Sequence, residues 1–197
     1  MDDLLQRTTG VILAGGKSSR MGSNKALLKF GSETIIERIH ATLRSVFPQT
    51  CIVADNVEEY AFLGVPVYPD LVKQCGPLGG IHSALANTAS EFRFIVSCDV
   101  PFINDALVRH IAHSIEDADV CVPRADGKIH PLCGIYRETC AQVVSERIGK
   151  KQLKLQELLL NLKTIIVPID ASLPFFHPRL LQNINSMDDY VNSMKRE

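Results

Sequence analysis

The sequence predicts an α/β fold in three layers, a single domain with a mostly parallel central sheet covered by helices on both faces. Three observations lead there. Short apolar runs of strand length alternate with stretches whose apolar residues recur at helical spacing. The strand-like runs are apolar throughout rather than at every second position, so both of their faces need cover. The chain has 197 residues, 46% of them hydrophobic and 22% charged, which suits one ordinary globular core.

The elements follow in order. Residues 11–13, Val-Ile-Leu, read as the first buried strand, and residues 35–46 as a helix with Ile35, Ile36, Ile39 and Leu43 on one face. Strands are expected at 51–54 and 65–68. A helix over 78–87 follows Gly76-Pro77, and 92–98 is a strongly apolar fourth strand. Asn104 is a natural N-cap for a helix over 104–115. Residues 120–122 and 131–136 give two more strands. Beyond Glu138 the pattern turns helical over 140–148 and 152–160 and becomes strand-like again at 164–167. Residues 170–185 are rich in Pro, Phe and Asn, and a terminal helix is expected after Ser186.

Several function classes are disfavoured at this stage. The formal net charge is −1, which argues against a dedicated nucleic-acid binder. The densest basic patch, Lys150, Lys151 and Lys154, reads as a solvated helix face. Six cysteines, Cys51, Cys75, Cys98, Cys121, Cys133 and Cys140, include no C-x-x-C pair and read as reduced core residues of a cytoplasmic protein. The opening MDDLLQRTTG has neither the basic start nor the apolar stretch of a secretory signal or anchor. No apolar run approaches the roughly 20 residues of a membrane span.

In parallel sheets ligands gather at the carboxyl ends of strands, where strand order reverses. Three loops there are chemically unusual. In the first, Gly16-Lys17-Ser18 mimics an ATPase P-loop, but the glycine that motif needs five positions earlier is Val11. The dinucleotide G-x-G-x-x-G spacing is absent as well. Small residues at Ala14, Gly15 and Gly16 let backbone amides approach a phosphate, and Arg20 and Lys25 add positive charge. A plain surface loop is the alternative. In the second loop, Gly76-Pro77-Leu78 leads into a helix whose first amides lack partners, while Asp70 offers an acceptor for an amino or hydroxyl group. A glycine-rich helix start with a solvated aspartate would look the same. In the third, Asp99 follows a buried strand, where a hard cation is a fitting partner; capping of a turn or helix is the other reading.

Together the motifs resemble the molybdenum cofactor guanylyltransferase family of nucleotidyltransferases. The string L-A-G-G-x-S-x-R-M-G-x-x-K runs from Leu13 to Lys25, D-x(5)-G-P-L-x-G begins at Asp70, and C-D-x-P spans Cys98 to Pro101. The resemblance runs from about Gly10 to Tyr190. It implies a Rossmann-like nucleotidyltransferase fold, with residues 8–138 as the nucleotide-binding part and 139–197 contributing to an acceptor pocket.

The resemblance also implies GTP and Mo-molybdopterin as substrates, Mg²⁺ as cofactor, and a product that joins GMP to the pterin while pyrophosphate leaves. It puts Leu13, Ala14, Gly15, Gly16, Lys25, Asp70, Gly76, Pro77, Leu78 and Asp99 at the nucleotide. Arg20, Lys25 and Asp99 then act in catalysis, with Asp99 also the metal ligand. Asn183 and Asn185, in a variant of the family's N-x-N-T-P-E-D-L segment, fall to the acceptor, although Ser186 and Met187 replace its Thr-Pro. His130 or Arg124 is expected near the acceptor, or His130 is a rim histidine without a substrate role. Transient contacts with proteins that make or receive the cofactor fit the same picture. A relative using CTP or another acceptor remains open, as does a non-catalytic scaffold, which would be expected to have lost Lys25 or Asp99.

Overall fold

The computed structural model describes residues 2–15 and 24–194. A short helix α1 (Asp3–Gln6) leads into β1 (Thr8–Leu13), which is buried at every position. The strand starts three residues earlier than its apolar run because Thr8 and Thr9 are buried too, with Thr8 Oγ1 donating to the Leu4 carbonyl at 2.8 Å. A 3-10 turn (Lys25–Leu27) and the small hairpin β2 (Lys29–Phe30) and β3 (Glu33–Thr34) follow. Helix α2 (Ile35–Val46) starts from a capping box: Thr34 accepts from the Glu37 amide, and Glu37 accepts from the Thr34 amide.

Next come β4 (Gln49–Val53), a 3-10 segment (Glu58–Leu63), β5 (Val67–Tyr68) and α3 (Gly76–Asn87). The expected strand at 65–68 shrinks to two residues. Pro66 has no N–H to give the ladder and contributes only its carbonyl, which accepts from the Ile52 amide at 2.9 Å. The chain continues through β6 (Phe92–Ser97), α4 (Asp105–His113), β7 (Val120–Ala125), β8 (Lys128–Ile129), β9 (Cys133–Arg137), α5 (Cys140–Gly149), α6 (Leu155–Leu160), β10 (Thr164–Pro168) and α7 (Met187–Met194).

The main sheet has the order β10-β7-β9-β6-β1-β4-β5, with β8 paired to β7. Strands β6, β1, β4 and β5 are mutually parallel, as are β10 and β7, while β9 runs antiparallel between β6 and β7. The sheet is therefore mostly parallel, and β9 and the two-residue β8, antiparallel to β7, are the exceptions. The chain leaves β1 in one direction to β4 and β5 and then crosses to β6 on the other side. That reversal puts the switch point between β1 and β6.

The three layers follow from residue alternation. Ile12, Ile52, Phe94 and Val96 face one way and pack with Ile35, Ile39 and Leu43 of α2 and Leu107, Val108 and Ile111 of α4. Their neighbours Val11, Leu13, Val53 and Ile95 face the other way, onto Leu78 and Ile81 of α3, Val144 of α5 and Leu158 of α6. Each such side chain, fully buried, contributes on the order of 1.5–3 kcal/mol. All six cysteines are buried and free, as expected for core residues. Burial pushes the thiols of Cys51, Cys98, Cys121, Cys133 and Cys140 up to about 12, which keeps them protonated and unreactive. No helix among the described residues is long and apolar enough to cross a membrane.

Candidate active site

The carboxyl ends of β1, β4, β5 and β6 converge as the topology requires. Leu13 ends β1 with its carbonyl accepting from the Cys98 amide at 3.1 Å, and the Ala14 amide donates to the Val53 carbonyl at 2.9 Å. These two bonds fix the start of the first loop against its neighbours. A side-chain relay supports it from below. Asn24 Nδ2 donates to the Tyr60 hydroxyl at 2.7 Å, and that hydroxyl donates to the Ala14 carbonyl at 3.3 Å. Asn24 also caps the turn that presents Lys25, accepting from the Ala26 amide at 3.0 Å. The sequence pattern gave no hint of Tyr60, because its partner lies 36 residues away. Gly16, expected at the nucleotide, and Arg20, expected to act in catalysis, lie outside the described residues, as does Lys17.

Asp70 follows β5. A Cβ on Gly15 would stand 4.0 Å from Asp70 Oδ2, and one on Gly79 would stand 3.8 Å from the same atom. Gly79 has a packing reason of its own, since a Cβ there would come within 3.1 Å of both the Val72 carbonyl oxygen and Cys75 Cβ. Asp70 therefore sits between the first loop and the first turn of α3. Its Oδ1 is buried with no hydrogen-bond partner among the described residues. Burial raises the Asp70 pKa above the ordinary carboxylate value, the nearby Asp55 raises it further, and Lys73 opposes both. An unmatched acceptor of this kind is what an incoming N–H or O–H would satisfy.

Helix α3 begins without a side-chain cap at Cys75 and has Pro77 in its first turn. The amides of Gly76 and Leu78 are thus free of an N-cap side chain and carry the positive end of the helix. Leu78 itself is 0% exposed, so any contact it makes with a ligand comes through its backbone.

Asp99 stands in the turn after β6. Its side chain is 15% exposed, and its Oδ2 lies 3.6 Å from Lys25 Nζ, itself on a side chain 24% exposed. Residues 74 positions apart in sequence thus meet across the switch point. Asp99 does not cap α4; Asn104 does, accepting from the Leu107 amide at 2.8 Å. Asn183 Nδ2 also donates to Asp99 Oδ2, at 3.2 Å, and the Ile184 amide donates to the Asp99 carbonyl at 2.8 Å.

Beside Asp99 opens a cleft of about 690 Å³, walled on one side by Asp126, Lys128 and His130 of the β7–β8 hairpin and on the other by His177, Asn183 and Asn185. It draws on both parts of the chain. His130 lines it, whereas Arg124 does not. Burial lowers the His130 pKa below the usual imidazole value, Lys128 lowers it further, and Asp126 and Asp99 oppose. Asn183, which lines the cleft, links it to that carboxylate. Lys128, Asp126 and His177 carry no motif; the first two face the cleft from the β7–β8 hairpin and His177 from the segment after β10.

Among the described residues no group of three or more His, Cys, Asp or Glu side chains forms a metal cage. The arrangement suits a different kind of ion. Both side-chain contacts to Asp99 fall on Oδ2, and no described residue donates to Oδ1. One open carboxylate oxygen is what Mg²⁺ uses when substrate phosphates and water complete its shell. The residues present fit the ion.

The model of the MobA-like NTP transferase domain matches residues 10–165. A probable molybdenum cofactor guanylyltransferase of Carboxydothermus hydrogenoformans is 40% identical over 193 residues, 97% of each chain. The crystal structure of molybdopterin-guanine dinucleotide biosynthesis protein A from Archaeoglobus fulgidus superposes with a TM-score of 0.78 at 24% identity, covering 95% of this chain and 97% of that one. The 4-diphosphocytidyl-2C-methyl-D-erythritol synthase of Anaerococcus prevotii shares the fold at a TM-score of 0.75 and 10% identity, covering 100% and 99% of the two chains. Sequence and architecture together show that the chain belongs to the MobA-like NTP transferase family.

Proposed function

We propose that the chain transfers GMP from GTP to a terminal phosphate of Mo-molybdopterin, forming the guanine dinucleotide cofactor and releasing pyrophosphate. The observation that carries this reading is the approach of Lys25 to Asp99, 3.6 Å apart at the switch point and beside a polar cleft. The choice of guanine and pterin is supported by the relative that is 40% identical over nearly its whole length.

In the proposed reaction an oxygen of the acceptor phosphate forms a new bond to the α-phosphorus of GTP. The bond from that phosphorus to the α–β bridging oxygen breaks, and pyrophosphate leaves with the electron pair. The attacking phosphate is already ionised, so no general base is required, and catalysis rests on positioning and charge neutralisation. The amides of Gly15 and Gly16 cradle phosphate oxygens, next to the small residue Ala14, whose own amide is held by the Val53 carbonyl, while Lys25 and Arg20 offset the charge on the departing pyrophosphate. Asp70 accepts from a hydroxyl or amino group of the nucleotide, and the backbone at Gly76 and Leu78, with the ring of Pro77, borders the base. Asp99 would hold Mg²⁺, which when bound supplies positive charge to the phosphate oxygens. Asn183 and Asn185 border the acceptor.

The test is pyrophosphate release on mixing the chain with Mg²⁺, Mo-molybdopterin and each of GTP, CTP, ATP and UTP in turn. Release is expected with GTP, and a preference for CTP would reassign the nucleotide. Asp99→Ala is expected to lower turnover by on the order of 10²-fold or more. A near-normal rate for that variant would remove Asp99 from the reaction.

A further inference from the structure

Asn183 lines the cleft, yet its amide nitrogen is engaged with Asp99. We propose that Asn183 is a positioning residue: it holds Oδ2 of Asp99, leaves Oδ1 to the metal, and so ties the acceptor cleft to the metal site. The proposal rests on the reading of Asp99 as the metal-binding carboxylate.

Three contacts from one short segment support it. Asn183 and Ile184 bond the side chain and the main chain of the same aspartate, at 3.2 and 2.8 Å. Ile184 is 0% exposed, so this double contact is anchored in the core. At the other end of the segment the Arg179 guanidinium lies 3.8 Å from the ring centroid of Phe102, three residues beyond Asp99, and Phe102 meets Phe30 edge-on at 5.4 Å. The turn that carries Asp99 is therefore braced at both of its ends by residues 179–184.

The chemistry of the side chain is also suited to the task. Asn183 is exposed, so packing gives no reason for an amide there. A lysine in its place would neutralise the carboxylate and compete with a cation, and a second carboxylate would repel the first. An amide donates one hydrogen bond to Oδ2 and adds no charge. Lys25, on the same oxygen, has a phosphate to move to when nucleotide arrives; Asn183 does not.

The experiment measures binding of Mn²⁺ to the full chain in the presence of GTP and without acceptor, using the electron paramagnetic resonance signal of free Mn²⁺. Asn183→Ala is expected to weaken Mn²⁺ binding about tenfold, the usual scale for loss of a partner that orients a metal ligand. GTP binding in EDTA should be unchanged, which a general loss of folding would not permit. Asp99→Asn should weaken Mn²⁺ binding at least as much, and adding Asn183→Ala to it should bring no further loss. Unchanged Mn²⁺ affinity in Asn183→Ala alongside a weakened Asp99→Asn overturns the proposal while leaving Asp99 in place. Additive losses in the double variant also overturn it, since Asn183 would then act independently of Asp99. If Asp99→Asn itself binds Mn²⁺ normally, it is the metal assignment under the proposed function that fails.

Discussion

The two walls of the cleft region are built on different principles. The nucleotide wall is the carboxyl edge of a buried sheet: β1 is buried along its whole length, and its backbone is held on both sides by β4 and β6. The acceptor wall beyond β10 is irregular, and local side-chain bonds shape it. Asp170 accepts from the Ser172 hydroxyl at 2.6 Å, His177 Nδ1 accepts from the Arg179 amide at 3.2 Å, and Asp189 accepts from the amides of Asn185 and Ser186 at 3.0 and 2.9 Å. The first wall takes its geometry from the whole fold. The second takes its local shape from neighbours a few residues away and joins the fold at a few points, Asn183 and Ile184 on Asp99 and Arg179 on Phe102, so damage to the two should spread over different distances.

The largest test of the contrast is Gly134→Ala in β9. A Cβ there would lie 2.6 Å from the Cys121 carbonyl oxygen and 2.7 Å from Val122 Cγ1. Backbone cannot swing aside as a side chain can, so the variant should lose about 3 kcal/mol, at the upper end of typical overpacking. Denaturant melts followed at both walls should shift together to lower midpoints. A midpoint within error of the parent chain would show that β9 has slack that its packing denies.

That contrast also explains what the sequence made legible. The apolar runs announced β1, β4 and β6, because a strand buried on both faces has to be apolar throughout. They did not announce that β9 is antiparallel, since the direction of a strand leaves no mark on its composition. Asp70, Asp99 and Lys25 were legible because glycines and charges end apolar runs at the site. Tyr60, Lys128 and His177 were not, because Tyr60 reaches the site through contacts distant in sequence, Lys128 through a hairpin, and His177 through an irregular segment whose path no spacing encodes. Asn183 was legible as a cleft residue, but its bond to Asp99 spans 84 positions and appears only in the fold.

A smaller effect separates the walls by sign. Asp70, in the nucleotide wall, has its pKa raised by burial, whereas Asp189, in the acceptor wall, has its pKa lowered by the Ser186 hydroxyl and by backbone amides. A raised carboxylate favours folding below its unfolded pKa of about 3.9 and loses that contribution as pH rises through the folded value. A lowered one contributes above the unfolded value and loses it as pH falls through the folded one. Asp70→Asn should therefore be more stable than the parent at neutral pH, with the gain vanishing in acid, and should bind nucleotide more weakly. Asp189→Asn should be less stable at neutral pH, with the deficit vanishing in acid. Urea unfolding from pH 3 to 7 measures both differences, and equal signs would erase the distinction.

The smallest effect compares two helices, one beside each wall, in each of which a polar side chain caps a first-turn amide. Asn104 accepts from the Leu107 amide at 2.8 Å, and Ser186 Oγ accepts from the Asp189 amide at 3.1 Å. Removing either acceptor leaves one helix amide unsatisfied, so local chemistry predicts similar losses. Packing predicts otherwise. Helix α4 buries Leu107, Val108 and Ile111 at 0% exposure, so its first turn cannot loosen without opening the core. Helix α7 keeps Met187, Val191 and Met194 at 43%, 42% and 38% exposure, and Ser193 is its one buried residue. Asn104→Ala should then lower global stability by about 1 kcal/mol. Ser186→Ala should stay within about 0.5 kcal/mol globally while amide exchange quickens in the first turn of α7. Equal global losses would mean that α7 is as firmly joined to the core as α4, and that the acceptor wall, for all its irregular backbone, unfolds with the sheet.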